Sequence, residues 1–427
     1  MLPLDLAIRA HTADLLNFID ASPSPWHVVA SVRERLVKHG FLELDESQPW
    51  SLEAGAGYFV IRDGSSIIAF KQGDRVLSDQ GFRISGAHTD SPGLRIKPNP
   101  LIQSGKIDRI GVEVYGGPIL ATFTDRDLSL AGRVTLRDTN GELDGRLLKF
   151  GKPMLRLPNL AIHMNRQVNE EGLRLHLQNE LPLILSCGER AEGNDRRFFD
   201  LLGEQLEVES DRITAWDLAV YDTQKGTIYG LDDEFFADSQ IDNLASCHAA
   251  LAALLDSQAL SSSATNVCAF FDHEEIGSLS LKGANGSFLP DVLERIALTT
   301  DLKTETYKRA LARSFLISAD MAHAFQPNFA SAYEPEHPVF VNHGPVIKVN
   351  VNQRYSTESI SHSGFIQLCL EAEVPWQQYS HRNNLPCGST IGPIASARLG
   401  IRSVDVGCPM WAMHSIRESA GVLDHSY

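Results

Sequence analysis

The stretch that most constrains this chain runs Asn266-Val267-Cys268-Ala269 and then Phe270-Phe271-Asp272-His273-Glu274-Glu275-Ile276-Gly277-Ser278. An apolar run that stops abruptly at four ionisable residues and a glycine has the pattern of a buried strand in an α/β sheet, delivering side chains to its carboxyl end. Two adjacent glutamates are costly to bury as bare charges, so a cation or a shared proton is expected beside them. An isolated Glu-Glu pair reads as a solvated turn. The other ionisable positions of the chain decide between the two.

Length sets the frame for that decision. A chain of 427 residues exceeds what one hydrophobic core usually supports, which predicts two domains. With 43% hydrophobic and 22% charged residues the composition is that of a soluble globular protein. The formal net charge of −16 argues against nucleic acid or an anionic membrane as a general partner. Cys187, Cys247, Cys268, Cys369, Cys387 and Cys408 are scattered without a Cys-x-x-Cys, as expected for reduced thiols rather than a disulfide framework. Neither a basic leader nor a long apolar segment stands out, so the expected location is the cytoplasm. Apolar spacing predicts an amphipathic helix over residues 5–19 and another over 27–39, separated by the turn Ser22-Pro23-Ser24-Pro25.

A second strand-like run, Arg83-Ile84-Ser85-Gly86-Ala87, leads into His88-Thr89-Asp90-Ser91-Pro92-Gly93. Residues two apart on extended backbone face the same side, which makes His88 a candidate metal ligand and Asp90 its candidate outer partner. From about 94 to 230 the character changes to short alternating runs, among them 110–115, 128–136 and 143–148, broken by turn sequences. These predict a β-rich insertion of antiparallel hairpins whose edges need covering, by another subunit for example. Inside it, His163 follows an apolar run and reads, from spacing alone, as a core histidine.

After the insertion, Asp242 precedes a helical run over 244–255, placing its carboxylate at a helix start, where it can cap or reach a site at the sheet edge. Phe315-Leu316-Ile317-Ser318-Ala319 ends in Asp320 and His323, repeating the strand-then-carboxylate pattern. Lys348 sits inside the apolar run Val346-Ile347-Lys348-Val349, where an unpaired ammonium is expensive. His414 follows another strand-like run and a short connection. Together His88, Asp242, Glu275, Asp320 and His414 supply two imidazoles and three carboxylates, a donor set suited to two divalent ions of the Zn²⁺, Mn²⁺ or Co²⁺ type. A bridging hydroxide completes the charge balance and leaves one glutamate of the pair as a general base.

These stretches resemble the M18 metallopeptidases, the aspartyl aminopeptidase group. The matching segments are Ser85-Gly-Ala-His-Thr-Asp-Ser-Pro-Gly93, Gln240-Ile-Asp-Asn-Leu244, Asp272-His-Glu-Glu-Ile-Gly-Ser278, Ser318-Ala-Asp-Met-Ala-His-Ala324, Gly344-Pro-Val-Ile-Lys-Val-Asn350, Gly388-Ser-Thr-Ile-Gly-Pro393 and Ala412-Met-His-Ser-Ile-Arg-Glu418, in family order along nearly the whole chain. The resemblance implies a mixed-sheet α/β dinuclear metallopeptidase domain, residues 1–92 and 231–427, interrupted by a β-rich dimerisation domain, 93–230. It implies His88 and Asp320 on one metal, Glu275 and His414 on the other, Asp242 bridging, Glu274 as general base and Asp90 behind His88. It implies His323, Lys348 and Tyr355 in the substrate pocket and His163 reaching a neighbouring subunit's active site, in place of the core role its spacing suggests.

The implied protein is an aminopeptidase with two divalent metal ions per subunit, zinc foremost, acting on peptides with a free N-terminus in a tetrahedral homododecamer. Asn384 stands where many relatives carry Asp, which leaves the preferred N-terminal residue open. The rival readings are an M20-like dinuclear acylase or carboxypeptidase and a non-catalytic assembly protein of the same fold. No Gly-x-Ser-x-Gly occurs, and His273-Glu274-Glu275-Ile276-Gly277 has glycine where His-Glu-x-x-His needs its second ligand.

Overall fold

The computed structural model describes residues 6–188, 196–256, 263–299 and 304–427. By contacts the chain divides into two units, one of Met1–Asp90, Gly226–Met413 and Glu418–Tyr427, the other of Ser91–Lys225 and His414–Arg417.

The first unit is built on a nine-stranded mixed sheet. Its middle holds four parallel neighbours, Thr265–Phe271, Phe82–His88, Phe315–Ala319 and Arg402–Gly407. Their sequences are nearly continuous apolar runs because both faces are covered. The alternation of side chains shows which face each serves: Phe59, Ile67, Cys268 and Phe270 enter one core cluster. Their neighbours Val60, Ile68, Val267, Ala269 and Phe271 enter the other. The helices Leu6–Ala21, Pro25–Lys38 and Ile241–Leu255 pack into the first cluster, and Phe288–Thr299, Thr304–Ala312 and Ile391–Leu399 into the second. Burying one such phenylalanine contributes roughly 1.5–3 kcal/mol, which makes the sheet a stiff platform. A five-stranded sheet that includes Ala322–His323, Pro409–Trp411 and Glu418–Gly421 belongs to the same unit.

The first helix spans Leu6–Ala21, and Asp5, where the sequence starts it, lies outside the described residues. The second begins two residues before the sequence places it, at Pro25, because proline is tolerated in a first helical turn, where its missing N–H has no partner to lose.

The second unit has a six-stranded sheet, all antiparallel, in the order Leu143–Lys149, Leu128–Arg137, Ile213–Asp222, Gly93–Ser104, Ile107–Tyr115 and Leu183–Cys187. It has its own core, to which the helix Arg197–Leu206 adds Phe198 and Leu202. His163 is not in that core. It lies exposed in a turn after Pro158-Asn159, where the backbone has left the strand direction, so apolar neighbours in sequence do not become neighbours in space.

Candidate active site

The parallel strands end side by side, and in register Phe271 sits opposite His88. Just past those ends the chain places Asp90, Glu274, Glu275 and Asp320. The glutamate pair forms a 3₁₀ turn, Glu274–Ile276, entered through His273 at φ 67° and left through Gly277 at φ 97°. Asp90 holds the mouth of this turn: its two carboxylate oxygens accept the backbone N–H groups of Glu274 and Glu275, each at 3.1 Å. His88 Nδ1 lies 2.9 Å from the Asp90 backbone oxygen and 3.5 Å from its carboxylate. Asp90 therefore orients the imidazole mainly with its main chain, while its side chain organises the glutamates.

Asp242 sits at the start of the Ile241–Leu255 helix, where its own φ/ψ and those of Asn243 are still non-helical. Its backbone N–H donates to Glu418 Oε2 at 3.0 Å, which fixes the entry of the helix. Asp320 is held by a backbone bond to Val406, 2.9 Å. Gly407 lies against that same backbone, since a Cβ there would come 1.7 Å from the Asp320 carbonyl oxygen. This is a close approach that requires glycine.

His88, Asp242 and Glu275 each offer one donor atom, and these atoms lie within 4.8 Å of one another. His88 Nε2 is 3.5 Å from Asp242 Oδ1 and 3.7 Å from Asp320 Oδ1. Ligand atoms around a tetrahedral zinc at roughly 2.0–2.1 Å stand roughly 3.3–3.4 Å apart, so the spacing suits a shared cation. The electrostatics agree. Burial opposes charge on His88, but the carboxylates of Asp242, Asp320 and Asp90 outweigh it and hold its pKa well above the usual imidazole value. Burial, with the Asp320, Asp90 and Asp242 charges adding to it against His88, pushes Glu274 up to about 8. Glu275 is raised for the same first reason, with Asp242 as its strongest like-charged neighbour. The cluster is short of positive charge, which a divalent cation would supply.

Lys348 is buried, donates to the Met321 carbonyl at 3.1 Å, lies 3.8 Å from Asp320 Oδ2 and stands 5.1 Å from the Tyr355 ring. His323 packs near Tyr379 and His381, with ring centroids 5.9 and 6.4 Å away. Tyr379 and His381, joined by a 2.6 Å hydrogen bond, were not singled out from the sequence. Their spacing of two at a strand end is the signal that marks them. Glu418 and the buried Lys282–Asp272 ion pair, 3.0 Å, also escaped it, because their partners are far away in the chain. His414 groups with the second unit, where its Nδ1 lies 3.0 Å from the Gly117 carbonyl oxygen.

A mixed parallel sheet whose carboxyl end gathers one imidazole and several buried carboxylates defines a metal-dependent hydrolase of α/β build. The model of the aminopeptidase I zinc metalloproteases, family M18, matches residues 18–427, and the chain belongs to that family. It is a metalloaminopeptidase. A probable M18 family aminopeptidase 2 from Ectopseudomonas mendocina (strain ymp) is 48% identical over 414 residues, covering 96% of this chain and 94% of that protein. Among solved structures, that of the Ape4 and Nbr1 complex superposes with a TM-score of 0.95 at 38% identity, covering 99% of this chain and 84% of that one. The S. cerevisiae mApe1 dodecamer gives 0.85 at 26% identity, covering 99% and 95%.

Proposed function

We propose that the protein removes the N-terminal residue from peptides at a dinuclear metal site. The observation that carries this reading is the shortage of positive charge around His88, where buried carboxylates face one another at ligand spacing. His88, Asp242, Glu275 and Asp320 would hold the ions, and the family resemblance adds His414 to that set. Bound divalent metal, zinc foremost, supplies Lewis acidity toward the scissile carbonyl and lowers the pKa of water.

Glu274 is the general base. With cations balancing the cluster's charge, Glu274 would be held ionised, so that it can accept a proton from the attacking water and return it to the leaving amine. Asp90 positions Glu274 through the backbone of the 3₁₀ turn. His323, Lys348 and Tyr355 line the substrate pocket. Lys348 is suited to anchor an acidic side chain or a carboxylate, which supports a preference for acidic N-terminal residues. Asn384, whose Oδ1 accepts from Arg382 Nε at 2.7 Å, modulates that preference. His163, exposed in its turn, serves a neighbouring subunit's site in a homo-oligomer, a dodecamer like the yeast relative and of tetrahedral arrangement, in the cytoplasm.

The test is a panel of chromogenic aminoacyl substrates carrying Asp, Glu, Lys, Leu or Ala, free or N-acetylated, offered to metal-stripped protein refilled with Zn²⁺, Mn²⁺ or Co²⁺. Metal-dependent release from free-amine substrates alone is the expected result, with two ions per subunit at the carboxylate cluster. Turnover of the acetylated set would move the protein to the acylase class.

A further inference from the structure

Three imidazoles meet in the first unit where both ends of the described chain are tied down. His11 and Asp14 lie one turn apart on the Leu6–Ala21 helix, His248 lies on the Ile241–Leu255 helix, and His425 on the terminal Val422–Ser426 helix. His248 and His425 are buried and His11 is half-buried. One nitrogen from each ring lies within 4.8 Å of the others.

The hydrogen bonds around His248 set its tautomer. Its Nε2 lies 2.8 Å from Asp14 Oδ2, and the Asp14 carboxylate accepts two further bonds from Arg35, at 2.7 and 2.9 Å. Partial burial works against the Asp14 charge, but Arg35 and His248 overcome it and bring the pKa down to about 2. An ionised Asp14 keeps the His248 proton on Nε2 and leaves the Nδ1 lone pair turned toward His425 Nε2, 3.0 Å away. Carboxylate, imidazole and open lone pair in that order are the arrangement that backs a metal ligand.

His425 supplies the second nitrogen, its Nε2 lying 3.0 Å from His248 Nδ1. In the tautomer with the proton on Nδ1, His425 Nε2 is free to donate its lone pair to a cation. Burial also lowers the pKa of all three rings, so no charge has to be expelled first. His11 stacks on His425, ring centroids 4.7 Å apart and planes at 15°. Half-exposed on its helix, it can turn its side chain to aim a nitrogen at the same point.

We infer that His11, His248 and His425 form a further metal site, separate from the carboxylate cluster, taking one divalent cation of the Zn²⁺, Co²⁺ or Ni²⁺ type, with Asp14 orienting His248. A set of imidazoles without ligating oxygens selects these ions over Mg²⁺ and Ca²⁺. The bound ion clips the Leu6–Ala21 and Val422–Ser426 helices to the Ile241–Leu255 helix. It needs no catalytic role.

The test uses the full chain with the carboxylate cluster disabled by His88→Ala and Glu275→Ala, stripped with chelator and titrated with Co²⁺ alone. One Co²⁺ per chain is expected, with the visible absorption of four-coordinate cobalt and a higher melting temperature. Adding His11→Gln or His425→Gln abolishes that binding, and Asp14→Asn weakens it about 10- to 100-fold. His11→Gln, at a half-exposed position, keeps the fold even if His425→Gln does not, and in the otherwise natural chain leaves peptidase turnover unchanged. No Co²⁺ bound in the disabled background, or binding indifferent to His11→Gln in folded protein, overturns the inference.

Discussion

The buried carboxylate of Asp405 and the cluster of buried and half-buried carboxylates around His88 are treated in opposite ways. Asp405, in the Arg402–Gly407 strand, accepts the Ser356 N–H at 2.5 Å, the Ser356 hydroxyl at 2.6 Å and the Thr390 hydroxyl at 2.5 Å. Gly392 leaves it room, since a Cβ there would stand 2.3 Å from the carboxylate. The carboxylates of Asp242, Glu274, Glu275 and Asp320 are instead set beside one another around one imidazole, and the strain shows as raised pKa values at both glutamates. A buried carboxylate surrounded by donors is structure, whereas carboxylates facing each other are the arrangement a cation would relieve.

The largest expected effect tests the functional side of that contrast. Glu274→Gln should lower turnover by about 10²–10⁴ with metal content unchanged, as read by steady-state kinetics beside metal analysis. Wild-type turnover in that variant would remove the general base. Next, Asp405→Ala should cost about 3 kcal/mol in urea unfolding, because it strands three buried donors, while activity per folded molecule stays the same. The contrast sharpens in sign with Glu275→Gln. In metal-free protein, removing one of the crowded charges should stabilise the fold by about 1 kcal/mol, whereas metal binding collapses; a loss of stability there would erase the distinction. The smallest effect concerns the thiols. Cys187 is exposed, and Cys268 is buried with its pKa pushed up to about 12. Alkylation at pH 8, followed by mass spectrometry, should modify Cys187, spare Cys268 and leave turnover unchanged.

Much of the candidate site was legible because parallel strands are buried on both faces. Their sequences are so apolar that the ionisable residues ending each run mark the sheet's carboxyl end, as His88, the Asp272-His273-Glu274-Glu275 run and Asp320 do. Lys348 was legible for the complementary reason, as a charge inside an apolar run, and the Met321 carbonyl and Asp320 carboxylate stand beside it. His163 misled, because apolar neighbours in sequence imply burial only while the chain keeps a regular direction. The division of labour at Asp90, main chain for His88 and side chain for the glutamate turn, depends on which atoms face each other, and no spacing rule encodes that.

By itself the sequence determined the class of fold, through the period of its apolar runs, and the chemistry, through the ionisable residues that end them. Tertiary structure alone decided which distant groups share a space. His11, His248 and His425 sit on three helices and follow no pattern along the chain, yet packing of those helices brings their nitrogens within 4.8 Å. Local periodicity is set by backbone geometry within a few residues, whereas the meeting of such side chains is set by how whole elements pack.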